Sequence, residues 1–314
     1  MDEHERRKAK TAPRARKTGA KSRSPETPTP AAAPDGDGAA GAASRSTVPL
    51  LYEDGDLGAR HASDRKFVWA LARGLEILRA FRPGQGPLGN SELAEITGLP
   101  KATVSRLTYT LTELGYLTFI KRLGKYEPAP SILALGYPVL SNMRVRQIAH
   151  DYMQQLANHA NASVALASRD RLSMIYVDEC SSSALTTLRL DIGSRVPIAT
   201  TALGRAFLAG LNEAERDVIL FHLQRVHGAD WPELDGRIKD AIAEVEDRGF
   251  CYVDHEWKRD VRGVGVPLLS ADGSTVMAMN CAGPAFALEP ARLQQDLGPR
   301  LVHLCRSIGP MIGR

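Results

Sequence analysis

Apolar residues recur from Leu71 through Leu75 and Leu78 to Phe81 at steps of four, three and three, which predicts a helix with one apolar face. Pro83, Gly84, Gly86 and Pro87 stop it. A short helix over 91–97 follows, with Asn90 as its N-cap and Gly98 and Leu99 in the turn. Pro100 then opens a longer helix at a position where its missing N–H costs nothing. Val104, Leu107, Leu111 and Leu114 line one side of that helix, and Gly115 ends it. The segments 116–121 and 125–127 are β-prone and are bridged by Arg122, Leu123 and Gly124, so they predict a small hairpin that Pro128 and Pro130 close.

Further along, 131–142 predicts a short apolar helical connector and 144–159 an amphipathic helix. Strands are expected near 162–168, 172–178, 184–190, 250–254, 264–269 and 274–283, with helices near 201–222, 234–248 and 289–309. Strands outnumber helices, so the expected class is α+β, with a mainly antiparallel sheet flanked by helices. The chain divides into a Pro-, Ala- and Gly-rich tail over 1–63, expected to be disordered, a winged helix-turn-helix over 64–128, a linker helix over 129–142 and a larger domain over 143–314.

Charge narrows the picture. The net charge is +4, but residues 1–24 hold nine basic and three acidic residues, so the remainder is slightly acidic. Attraction to a polyanion therefore has to come from the tail and from local patches. No run of eighteen apolar residues occurs and the first eight residues lack the apolar core of a secretory signal, so a cytoplasmic protein with no membrane partner is expected. The four cysteines form no Cys-x-x-Cys pair and read as buried thiols in a reducing compartment. Cys251 and His255 would lie roughly 13 Å apart on an extended segment, too far to share a metal. No metal and no cofactor are expected.

Two helices joined by a tight turn and followed by a basic hairpin suit the major groove of B-DNA, which admits one helix held at depth by another. With its aliphatic side buried, the helix beginning at Pro100 turns Lys101, Thr103, Ser105, Arg106, Tyr109 and Thr110 outward. Lys and Arg can donate to guanine O6 and N7, and hydroxyls can meet phosphates or base edges. Lys121, Arg122 and Lys125 on the hairpin would follow the flanking backbone and add affinity more than sequence information. Two alternatives remain open at this point. One is a protein-interaction module that grips its partner with the same unit. The other is an α/β enzyme, although Gly-x-Ser-x-Gly, His-Glu-x-x-His and Gly-x-x-x-x-Gly-Lys motifs are all missing and Asp178, Glu179, Asp254 and Glu256 read as solvated acids near strand ends.

The run from Asn90 to Leu107, NSELAEITGLPKATVSRL, followed by Leu114-Gly-Tyr-Leu117, resembles the helix-turn-helix of the IclR family of bacterial regulators. Val177-Asp-Glu, Gly193-Ser-Arg-Val-Pro, Ala202-Leu-Gly-Arg-Ala-Phe-Leu-Ala, Arg248-Gly-Phe, Val266-Pro-Leu and Ala282-Gly-Pro continue the likeness in the order of that family's effector domain. The resemblance covers residues 65–312. It implies a transcriptional repressor or activator, a dimer or dimer of dimers, that binds palindromic operator DNA under the control of a small organic acid in a GAF-like mixed α/β domain. It also implies a pocket near Thr200, Thr201, Ala202, Leu203, Gly263, Asn280 and Ala282. The start of a helix at 201–203 would stabilise a carboxylate there. Many relatives carry Cys at the position of Gly263 and Ser at those of Asn280 and Ala282. The expectation is therefore a larger, less polar pocket for an aromatic or otherwise bulkier acid.

Overall fold

The computed structural model describes residues 64–182, 190–273 and 276–312. The tail over 1–63 and most of the strand expected at 184–190 lie outside the described residues.

The first folded unit contains α1 (Trp69–Arg79), α2 (Asn90–Thr97), α3 (Lys101–Glu113) and a hairpin of β1 (Leu117–Ile120) with β2 (Lys125–Pro128). Its core is Ile77, Ala80, Leu88, Leu93, Leu99, Val104, Leu111 and Leu117. The residue before α2 that caps it is Gly89, not Asn90: the Glu92 carboxylate, from the third helical position, accepts from the Gly89 N–H at 2.7 Å. Asn90 is already helical, and its Oδ1 accepts from Thr108 Oγ1. Pro100 likewise stands just outside α3, with extended ψ of 138°. Gly98 supplies the left-handed φ of 68° that turns α2 into α3.

The apolar stripes differ from the expectation in an informative way. Leu71 and Leu75 are 62% and 50% exposed, while Glu76, Ile77 and Ala80 of the same helix are buried. Leu114 is exposed, and Thr108 replaces it in the core, with its hydroxyl donating to Val104 O at 3.0 Å. The regular stripe is thus divided: Leu78 and Phe81 pack against the core of their own unit, while Leu71 and Leu75 point outward.

After a 3-10 turn over Pro130–Ile132, α4 (Leu133–Ser141) leads into α5 (Arg144–Ala160). The larger domain is a six-stranded antiparallel sheet in the order β5-β4-β3-β8-β7-β6. These strands are β3 (Ser163–Asp170), β4 (Ser173–Ser181), β5 (Arg195–Pro197), β6 (Cys251–Asp254), β7 (Val261–Leu269) and β8 (Val276–Pro284). One face carries Val164, Leu166, Val264, Val266, Met277 and Met279 and packs against α5 and the last helix. That helix starts at Pro290–Arg292, widens into a π turn over Leu293–Leu297 and continues as α9 (Gly298–Ile308), so it is numbered here after α6 to α8 of the opposite layer. The other face carries Ala165, Ala167 and Ala278 and packs against α6 (Ala202–Gly210), α7 (Glu213–His227) and α8 (Trp231–Arg248). The single helix expected over 201–222 is two helices, because Leu211 is extended and Asn212 Oδ1 accepts from Glu215 N–H to start α7.

Charged side chains link the two folded parts. Arg79 of α1 makes a two-pronged pair with Asp170 at the end of β3, at 3.2 and 3.1 Å. Arg195 on β5 reaches the same carboxylate at 2.6 Å. In the β3–β4 turn, Arg171 sits at φ 60° and hydrogen-bonds Glu76, which is 2% exposed. Left-handed backbone at a non-glycine residue costs roughly 1–2 kcal/mol, which this contact offsets. Partial burial raises the Asp170 pKa, but the two arginines outweigh it and hold the carboxyl below its ordinary value. A depressed carboxylate contributes stability above its ordinary pKa and loses it as pH falls through the lowered one. Asp170→Asn should therefore lower stability by about 2 kcal/mol at neutral pH. The difference from wild type in urea midpoint should shrink towards zero on the acid side of the normal aspartate range; a difference independent of pH would show that the pair contributes no charge-dependent stability.

Candidate functional site

Two surfaces carry chemistry. On α3, Lys101, Ser105, Arg106, Tyr109 and Thr110 are exposed and Thr103 is half-buried, on the side away from Val104, Thr108 and Leu111. Lys121 and Arg122 stand exposed at the tip of the hairpin. Among the described residues no carboxylate pairs with Lys101, Arg106, Lys121 or Arg122. Lys125 differs from this group: its Nζ lies 2.8 Å from Glu92 Oε1. The Lys125 ammonium, followed by the Gly89 N–H, holds the Glu92 carboxyl below its usual range. Lys125 therefore links the hairpin to α2.

The second surface is a cavity between the start of α6 and strands β7 and β8. Of the residues expected there, Thr200, Thr201, Ala202, Gly263, Asn280 and Ala282 line it together. Leu203 does not: it is fully buried in the core. The Thr201 hydroxyl is already committed, donating to Pro197 O at 2.6 Å and accepting from Gly204 N–H at 3.1 Å as the cap of α6. Ala202, the first residue of α6, lines the cavity, and Gly265 of β7 lets the helix backbone approach so closely that a Cβ there would lie 2.1 Å from Ala202 O. Val196, Val253, Val261 and Trp257 make the wall apolar.

The cavity encloses about 40 Å³, room for a few waters at the ~10–15 Å³ each requires. The expected enlargement at Gly263 is not found. A Cβ there would stand 2.8 Å from the Ala282 Cβ on the facing strand, so the space of the missing side chain is already filled. Arg262 lines the wall, but its guanidinium is spent on Asp254, Leu288 O and His255.

Residues 70–120 match the family model for the IclR helix-turn-helix domain, and residues 137–309 match that for the bacterial transcriptional regulator IclR C-terminal region. The chain belongs to the IclR family of transcriptional regulators. Among curated IclR relatives, the regulator TsaQ1/TsaQ2 of Comamonas testosteroni is 36% identical over 77% of this chain and 87% of its own length. An IclR-family regulator from Brucella abortus has a solved structure 46% identical to this chain, with a TM-score of 0.72, covering 79% of this chain and 94% of that one. An IclR homologue from Microbacterium hydrocarbonoxydans, solved with 4-hydroxybenzoate, shares the fold at 18% identity and a TM-score of 0.60, over 76% of this chain and 97% of that one.

Several lining residues of this IclR-family cavity escaped the sequence reading. Tyr176, Val196, and Val253 with Trp257 come from three separate segments, and only Val196 lies within one of the quoted motifs. Two of the acids read as solvated are not. Asp178 is 1% exposed, hydrogen-bonds His150 at 2.9 Å and forms an ion pair with Arg146 at 3.5 Å, both on α5. Glu256 makes a two-pronged pair with Arg205 of α6, itself 2% exposed, whose Nε also donates to Ala199 O at 2.8 Å. The Arg205–Glu256 pair anchors the turn that presents Trp257 to the cavity. Breaking a buried pair by removing one partner leaves a charge uncompensated and costs about 3–5 kcal/mol. Glu256→Ala should therefore lower the stability of the larger domain by about 3 kcal/mol in a urea titration; a loss under about 0.5 kcal/mol would show that Arg205 re-pairs freely, for instance with solvent.

Proposed function

We propose that this regulator reads operator DNA with the outer face of α3, steadies itself with the hairpin tip, and changes its affinity when an organic acid occupies the cavity. One observation carries the reading: α3 buries Val104, Thr108 and Leu111 yet leaves a cationic and hydroxyl-rich face open, with Tyr109 64% exposed. Lys101 and Arg106 would donate to base edges, with Thr103, Ser105, Tyr109 and Thr110 meeting bases or phosphates. Lys121 and Arg122 would lie along the flanking backbone. The protein acts in the cytoplasm and without catalysis.

A homodimer, or a pair of dimers, on a palindromic site is the proposed assembly. Helix α4 supports it. Leu133, Leu135, Tyr137 and Val139 are 73%, 54%, 69% and 59% exposed, and they add to the outward Leu71 and Leu75 of α1. A short helix that is apolar all round is normally covered, and so large an exposed patch marks an interaction surface.

The proposed effector is a small organic acid whose carboxylate sits at the positive end of α6. The apolar walls and the 4-hydroxybenzoate complex of the Microbacterium homologue favour an aromatic one, whose ring would have to push the Trp257 wall outward. The signal has a physical route. Val196 lines the cavity, its neighbour Arg195 holds Asp170, and Asp170 holds Arg79 of the DNA-reading unit. A coupling of roughly 1–3 kcal/mol would suffice.

Titration of a specific and a scrambled duplex across salt tests the division of labour. Arg106→Ala should cut the preference for the specific site by tenfold or more, an order of about 1–3 kcal/mol. Arg122→Ala should weaken both duplexes alike and make the slope of log affinity against log salt shallower by about 0.9. Equal loss of specificity from both changes would end this assignment. For the assembly, Leu135→Glu should give a monomer by sedimentation and lose most operator affinity, whereas an unchanged dimer would place the interface elsewhere.

A further inference from the structure

Part of the cavity wall is polar. Asn280 projects from β8 on the same face as Ala278 and Ala282 and is 7% exposed; Tyr176 of β4 is 4% exposed. Asn280 and Tyr176 both line the cavity, and burial pushes the Tyr176 phenol up to about 12 against a smaller lowering from the neighbouring Asn280 amide, so it stays protonated throughout the physiological range. A neutral phenol has a hydrogen of its own to donate to a ligand.

One half of the Asn280 amide is unsatisfied. Asn280 Oδ1 is buried and, among the described residues, meets no donor. Four further buried polar atoms share that condition, on Glu76, Arg79, Arg146 and His222, and none of those residues but Asn280 lines this cavity. Buried carbonyl oxygens are otherwise paired, so an orphan acceptor facing a binding cavity calls for a donor on the ligand. A carboxylate cannot serve, since its oxygens only accept. An ammonium group would serve poorly, because no Asp or Glu lines the cavity to balance its charge.

We infer that the Asn280–Tyr176 pair selects a carboxylic acid bearing a neutral hydroxyl group, which donates to Asn280 Oδ1 and accepts from the phenol while the carboxylate lies towards Ala202. The inference rests on the effector reading above and adds its specificity. A site built to bond a hydroxyl discriminates strongly against the analogue that lacks it, because its own buried groups are then left unpaired.

Calorimetry on the full-length protein with matched acids tests this: 4-hydroxybenzoate against benzoate and 4-methoxybenzoate, lactate against propionate, glycolate against acetate. In any set that binds, the hydroxylated acid should bind at least tenfold tighter than its unsubstituted partner, and the methoxy compound, which cannot donate, should bind no better than benzoate. Asn280→Leu should flatten that preference to within twofold while retaining the unsubstituted acid. Acids that bind wild type with no hydroxyl preference would overturn this inference and leave the effector reading standing. A preference that survives intact in a folded Asn280→Leu protein would also overturn it. Binding of none of these acids would overturn the effector reading and this inference with it.

Discussion

The larger domain depends on how closely α6 approaches its sheet. A Cβ on Gly265 would lie 2.1 Å from Ala202 O, and one on Gly204 would lie 2.2 Å from Ile198 O, so neither position admits a side chain without moving backbone. Ala165, Ala167 and Ala278 keep the surrounding face equally shallow. The opposite face holds the bulky residues, Leu166, Val266, Met277 and Met279 among them, and is covered by α5 and α9 in ordinary side-chain packing. This asymmetry brings the start of a helix down onto the strands and leaves a small enclosed space at its end. Cys251 reinforces the approach, its thiol donating to Ala202 O at 3.3 Å while burial pushes its pKa up to about 12, so it acts as a neutral donor and not as a reactive thiolate.

The cavity and the DNA-reading face communicate through few parts. Helix α4 joins the two units along the chain, and the charged cluster around Asp170 and Glu76 joins them across space. The cluster is well placed to respond to a ligand, because one of its arginines is adjacent in sequence to a cavity wall. Isolated exposed pairs contribute little, but these side chains are largely shielded and share partners, so they act as a unit.

Surface chemistry follows the same logic of partners present and partners missing. Lys125 looks like its neighbours Lys121 and Arg122 in sequence, yet it is paired with Glu92 while they are free. The regular stripe of α1 looks like a single core face, yet only Leu78 and Phe81 pack against the core that Ile77 and Ala80 fill, while Leu71 and Leu75 stay outside. A periodic apolar face reports that something covers it; it does not report whether the cover comes from the same domain.

What the sequence by itself determined was local. The turn glycine Gly98, the apolar period of α3, the hairpin and the alternating strands are written in neighbouring residues, and the ordered motifs from Asn90 to Pro284 named the family. Of the six cavity residues that were anticipated, Ala202 and Ala282 stand in those motifs, and the other four were implied by the family resemblance. Tertiary structure decided what depends on distant partners. Thr108 is core because Asn90 and the Val104 carbonyl receive its hydroxyl. Glu256 is only partly exposed because it pairs with the buried Arg205, and Gly263 opens no space because Ala282 faces it across the sheet. Asn280 and Tyr176, more than a hundred residues apart in sequence, meet at one cavity, and Asn280 Oδ1 is buried there without a donor. Burial and pairing are properties of two positions at once, and sequence spacing alone does not bring those positions together.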